Sequence, residues 1–194
     1  ADGLNITPGI SANTGASCPS IKIEEAGGTV NIISEAGANA YFGSYLGAPA
    51  IQKEGNETKL VFKTADPSNP GTITAKAPDT SCSAGIGSCL YVIDTSKAST
   101  GNMVFESGKV IAYGGTNAAG IGGGAGKDHT TGITIKGTAE IEAHGGSGGA
   151  GIGSGSHGAF NKIRIEGGTV RAYGGTGNYS GAGIGSGYDE ISLT

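Results

Sequence analysis

The chain has no tryptophan, and aromatic residues make up only 6% of its 194 residues. That excludes a core built mainly on large interdigitated rings. Charged residues amount to 14% and the net charge is −4, so there is no basic stripe for DNA or RNA and no polybasic patch for a membrane surface. No run of eighteen apolar residues occurs, and membrane insertion is not expected. Helical periodicity is nowhere sustained over the ~11 residues that a helix needs. The three cysteines, Cys18, Cys82 and Cys89, include no Cys-x-x-Cys pair, and no His-x3-His spacing is present, so a zinc site is not expected. If a disulfide forms, one thiol is left over. Cys82 and Cys89 flank Ser83–Ser88 and are the candidate pair; Cys18 is another partner for either, and three thiols are the alternative.

Glycine is what the chain has in excess, 40 residues without the period of collagen. These glycines recur at fixed places. Ala119-Gly-Ile-Gly-Gly-Gly124 leads to Ile133-Thr-Ile135, Ile141-Glu-Ala-His-Gly-Gly146 and Ala150-Gly-Ile-Gly-Ser-Gly155. The same order then repeats as Ile163-Arg-Ile165, Val170-Arg-Ala-Tyr-Gly-Gly175 and Ala182-Gly-Ile-Gly-Ser-Gly187. A fixed order of motifs at a fixed period marks a repeat architecture. Aligned on the apolar-x-apolar triplet, the copies begin at Ile21, Leu60, Met103, Ile133, Ile163 and Ile191, spaced by 39, 43, 30, 30 and 28 residues. Ala143 follows its triplet one residue later than Ala112 and Ala172 follow theirs, which predicts one extra residue in that copy.

Segments this short cannot bury a face alone, but copies stacked about 4.8 Å apart enclose a continuous interior. Three strand-like segments per repeat, joined by glycine turns, predict an all-β fold: a three-sided parallel β-helix of about six coils. Residues 1–20 read as a cap or first coil and residues 21–194 as the repeats, regular from 101 and ending mid-repeat without a polar cap. The predicted inward files are Phe62, Phe105, Ile135 and Ile165; Val30, Ile73, Val110, Ile141 and Val170 with Ala75, Ala112, Ala143 and Ala172; and Ile51, Ile86, Ile121, Ile152 and Ile184. After the triplets stand Glu24, Lys63, Glu106, Lys136 and Glu166, alternating in sign as stacking would favour.

The pattern Ile-x-Ile-x-Gly-Gly-Thr-Val-x-Ala-x-Gly-Gly, followed by Gly-Ala-Gly-Ile-Gly-Ser-Gly, resembles the Gly-rich right-handed parallel β-helix repeat domains of bacterial cell-surface and secreted proteins. The resemblance covers residues 21–194. It implies an extracellular adhesion or carbohydrate-binding module, with calcium as a cofactor held by some relatives, and no family ligand motif matches residue by residue.

Two outward sets could carry chemistry. Lys76, Tyr113, His144 and Tyr173 form one file, with Thr74, Ile111, Glu142 and Arg171 two residues earlier on the same face. Tyr113, Glu142, His144, Arg171 and Tyr173 are therefore the candidate glycan-binding residues, rings stacking on pyranose faces while Glu142 and Arg171 bond hydroxyls or a uronate. The alternative is an aromatic file that only stabilises its sheet. Among the corner loops, Asp128, Asp189 and Glu190 are the candidate calcium ligands, although no Asp-x-Asp-x-Asp-Gly loop is present and solvated turns account for the same residues. Loop stacking would also bring His157 toward Asp128 and Asp189. Paired carboxylates on one wall, which β-helix lyases and hydrolases need, are missing, so no catalytic residues and no enzyme activity are expected. The expected partner is a polysaccharide or a host or cell-wall glycan. The alternative is a stalk or filament subunit that associates end to end through open strand edges.

Overall fold

The computed structural model describes residues 4–5, 19–23, 27–44, 47–53, 55–89, 99–126, 129–177 and 179–188, which contain sixteen strands and no helix. All strand pairs are parallel, each between copies of one segment in successive coils, and they form three walls. The first wall contains β3 (Thr29–Ser34), β6 (Lys59–Thr64), the leading halves of β9 (Ser99–Tyr113) and β11 (His129–His144), and β14 (Ile163–Ile165). The second contains β4 (Asn39–Gly43), β7 (Thr72–Lys76), the trailing halves of β9 and β11, and β15 (Thr169–Tyr173). The third contains β2 (Ile21–Ile23), β5 (Ile51–Lys53), β8 (Ile86–Gly87), β10 (Ile121–Gly122), β12 (Ile152–Gly153) and β16 (Ile184–Gly185). β1 (Leu4–Asn5) pairs with β3, and β13 (Ala159–Phe160) with the start of β11. Six rungs on the third wall make about five turns of a parallel β-helix.

Like residues stack on like residues in the interior. Phe62 lies on Phe105 with ring centroids 4.7 Å apart and planes 6° from parallel, and Ile135 and Ile165 continue the file. Ile51, Ile86, Ile121 and Ile152 are fully buried on the third wall. Each such side chain contributes about 1.5–3 kcal/mol by leaving water. The corner after this isoleucine admits only glycine: Gly87, Gly122 and Gly153 have φ of 140°, 130° and 141°, and a Cβ on any of them would overlap the carbonyl of the glycine one coil above. Each corner closes as an arch, with the Ala84, Ala119, Ala150 and Ala182 amides donating to Ser88, Gly123, Ser154 and Ser186 carbonyls at 3.0, 2.9, 3.1 and 3.0 Å.

The register matches the predicted files from residue 51 onward and departs from them in the first coil. Ile21–Ile23 pairs with Ile51–Lys53 on the third wall. The triplet below Leu60-Val-Phe62 is instead Val30-Asn-Ile32, so Val30 leaves the Ile73 file, where Ala40 takes its place and Phe42 lies below Ala75. An apolar-x-apolar triplet fits any wall equally well, and only the length of the intervening turns decides which wall it joins. The extra residue before Ala143 is present: Ile135 pairs with Phe105 but Thr138 with Ser107, a bulge that contains Gly137 at φ 61°.

The alternating charges become one ion pair between coils, Lys136 Nζ to Glu106 Oε1 at 2.9 Å. Glu166 departs from the expected ladder because Arg164, two residues earlier, bonds it, Nε to Oε1 at 2.8 Å. Below Lys63 the register brings Ile33, whereas Glu24 lies outside the described residues. Cys82 and Cys89 are not joined by a disulfide, although both backbones pack around Gly124. Cys18 lies outside the described residues.

Candidate functional site

On the second wall the outward residues of successive coils fall into register as Lys76, Tyr113, His144 and Tyr173, with Thr74, Ile111, Glu142 and Arg171 beside them. The five expected glycan residues are thus together on one face. Tyr41, 64% exposed, extends the second file below Thr74. The rings of Tyr113, His144 and Tyr173 are stacked, centroids 4.7 Å apart in both pairs and planes 12° and 17° from parallel.

That geometry changes what the rings can do. Strand spacing and ring spacing coincide, so each ring covers its neighbour and both faces of His144 are occupied. A pyranose cannot stack on it. The file presents ring edges outward, with phenol hydroxyls and imidazole nitrogens as hydrogen-bonding groups. Tyr173, the last ring of the file among the described residues, is 48% exposed.

His144 is held by Glu142, Nε2 to Oε1 at 3.1 Å. This hydrogen bond holds the Glu142 carboxyl below its ordinary range, partial burial opposes it, and the charges of His144, Lys109 and Arg171 add to the lowering. Beside the rings opens a cleft of about 330 Å³ lined by Lys76, Asp79, Tyr113, Thr116, His144 and Ser147. Lys76 Nζ lies 3.0 Å from Asp79 Oδ1, and Thr116 Oγ1 donates to the Asp79 carbonyl at 2.6 Å. The rim of the cleft is therefore fixed by its own contacts before any ligand arrives.

At a corner, Tyr188 meets His157 edge-on with centroids 6.2 Å apart and Tyr179 at 4.7 Å. Together with Asn117 and Ser156 these rings line a cleft of about 150 Å³. Loop stacking thus brings His157 to Tyr188 and Tyr179. Asp128, Asp189 and Glu190, the expected calcium ligands, lie outside the described residues. Among the described residues no three His, Cys, Asp or Glu side chains gather as a metal site would require.

A third feature was not anticipated from the sequence. The outer side of the first wall carries an open groove of about 600 Å³ whose lining includes Lys59, Asn102, Lys136, Lys162 and Arg164. Its residues are spread over four coils and form no local motif. The signal available was the middle residue of each triplet and the residue before it, which alternation turns outward.

The five carboxylates whose contacts are described above or in the Asp66 loop are all engaged: Glu106 with Lys136, Glu142 with His144, Glu166 with Arg164, Asp79 with Lys76, and Asp66 with Ser68.

A family described as beta helix repeat matches residues 106–125 and 163–188. Each match spans one second-wall segment and the Ile-Gly corner that follows it, the parts whose spacing is most regular. No curated protein and no solved structure matches the chain. Sequence match, register and stacked interior agree on a parallel β-helix repeat domain.

Proposed function

We propose that this chain is a non-catalytic, extracellular glycan-binding module whose second wall is the binding surface. The observation that carries the reading is the edge-out file of Tyr113, His144 and Tyr173 beside a polar cleft. Hydroxyls and imidazole nitrogens repeated at each coil suit the repeated hydroxyls of a saccharide chain, and the exposed Tyr173 ring suits contact with a pyranose. Glu142 and Arg171 flank the rings as acceptor and donor.

A glycan array, run with and without a chelator, tests this reading and the calcium requirement together. Tyr113→Ala combined with Tyr173→Ala is expected to weaken binding at least about tenfold, equivalent to ~1.4 kcal/mol, with an unchanged circular dichroism spectrum. Full binding by the double variant would move the site elsewhere, and no retained glycan would end the reading.

A further inference from the structure

The corner that follows the third wall repeats in its backbone and not in its side chains. The amides of Ala125, Ser156 and Tyr188 donate to the carbonyls of Cys82, Asn117 and Gly148 at 2.9, 2.7 and 2.7 Å, one bond per coil. The position is filled by Ala, Ser and Tyr in turn, so the repeat accounts for the amide of Tyr188 and leaves its ring unexplained. His157 follows Ser156 directly, and Tyr179, 52% exposed, stands shortly before β16. The two corners bring these three rings into contact.

The rings are inclined to one another. Tyr188 makes 72° with His157 and 58° with Tyr179, whereas on the second wall the planes lie within 17° of parallel. Parallel rings at strand spacing cover each other, while inclined rings can wall a shared space. Here that space is the cleft of about 150 Å³, completed by Asn117 and Ser156. It is about half the lower end of the ~300–1,000 Å³ that drug-sized ligands fill, so it takes a compact group. Its walls are set in advance. The Tyr188 carbonyl accepts from the His157 amide at 2.8 Å and from Oγ of buried Ser156 at 3.0 Å. Asn117 and His157 are held at φ 61° and 59°, a left-handed conformation uncommon for any residue with a side chain.

We propose that this cleft binds a quaternary ammonium group, held by cation–π attraction to the tyrosine and histidine rings that wall it. A positive charge spread over methyl groups asks for ring surfaces from several directions and for no hydrogen-bond acceptor. Among the described residues neither Lys nor Arg lines the cleft to repel a cation, and neither Asp nor Glu lines it to favour a strongly hydrated primary ammonium. The net charge of −4 favours the approach of a cation. A pyranose fits less well, because planes 58° and 72° apart offer no flat platform for a sugar face. The site uses no ring of the second wall and goes beyond the glycan reading without resting on it.

The test is an NMR titration of the chain with choline, trimethyllysine, unmodified lysine and dimethylbutanol, the uncharged isostere of choline. Choline or trimethyllysine is expected to bind at least about tenfold more tightly than lysine or dimethylbutanol, and the tighter of the two identifies the source of the group. Tyr179→Ala with Tyr188→Ala is expected to lose at least about tenfold in affinity while keeping its melting temperature. Tyr179→Phe with Tyr188→Phe should bind as before, since the ring and not the hydroxyl makes the contact; this pair decides the matter even where the alanine pair unfolds. Tyr113→Ala with Tyr173→Ala should also bind these ligands unchanged, so failure of the cleft and failure of the second wall are separable. No binding of either quaternary ligand, equal binding of dimethylbutanol, or loss of binding in the phenylalanine pair would overturn the assignment.

Discussion

Gly122 shows how tightly single residues are specified. Its φ of 130° is open to glycine, and a Cβ there would overlap the Gly153 carbonyl in the coil above. Gly122→Ala is expected to cost about 3 kcal/mol or more, combining backbone strain with forced separation of two coils. A lowered thermal midpoint checks it. Phe105, stacked on Phe62 and fully buried, should cost about 3–5 kcal/mol as Phe105→Ala, measured by urea unfolding. Glu142 ties stability to pH. Its folded carboxyl titrates below the ordinary 4.5, so the Glu142–His144 contact adds stability above that pH, and the contribution disappears as pH falls through the lowered value. Glu142→Gln should therefore destabilise by up to about 1 kcal/mol at pH 6 and by less at pH 3, read from paired melts. At this scale the chemistry of Tyr113, His144 and Tyr173 was legible in the sequence as a recurring outward position. Their covered faces were not, because ring orientation depends on side-chain rotamers and not on spacing.

Among elements, the register of parallel strands decides which side chains meet. Lys136 and Glu106 face each other across β9 and β11, so Lys136→Glu places like charges there and should cost about 0.5–1 kcal/mol, less at high salt. Parallel melts in low and high salt check this. The files Phe105–Ile135–Ile165 and Val110–Ile141–Val170 could be read from spacing because their coils differ by only a residue or two, and motif order extended them to Phe62 and Ile73 across longer coils. The first coil could not. There Ile21–Ile23 and Val30–Ile32 are the same pattern, and the turn between them assigns one to the third wall and the other to the first. The charge ladder failed at Glu166 for a similar reason: Arg164, two residues earlier in β14, pairs with it, while Lys136 one coil below is bonded to Glu106.

As a whole the domain is a stack in which the strands of each coil pair only with those of its neighbours, so stability is spread along one axis. The Ile121 amide, bonded to the Gly151 carbonyl at 3.0 Å and flanked by coils on both sides, should exchange at least about tenfold more slowly than that of Ile184 in the last described rung. Hydrogen exchange with mass spectrometry reads the difference, and uniform protection would contradict stacking as the source of stability. The parallel β-helix itself was determined by the sequence alone, because a period of about thirty residues, with apolar triplets and glycine corners at constant offsets, has no other way to bury its apolar face. The tertiary structure alone decided which side chains share a surface. Stacking closed the ring faces on the second wall and gathered Lys59, Asn102, Lys162 and Arg164 from separate coils into one groove. Neighbours across coils are about thirty residues apart in the chain, so their encounter depends on every turn length between them and is written in no local motif.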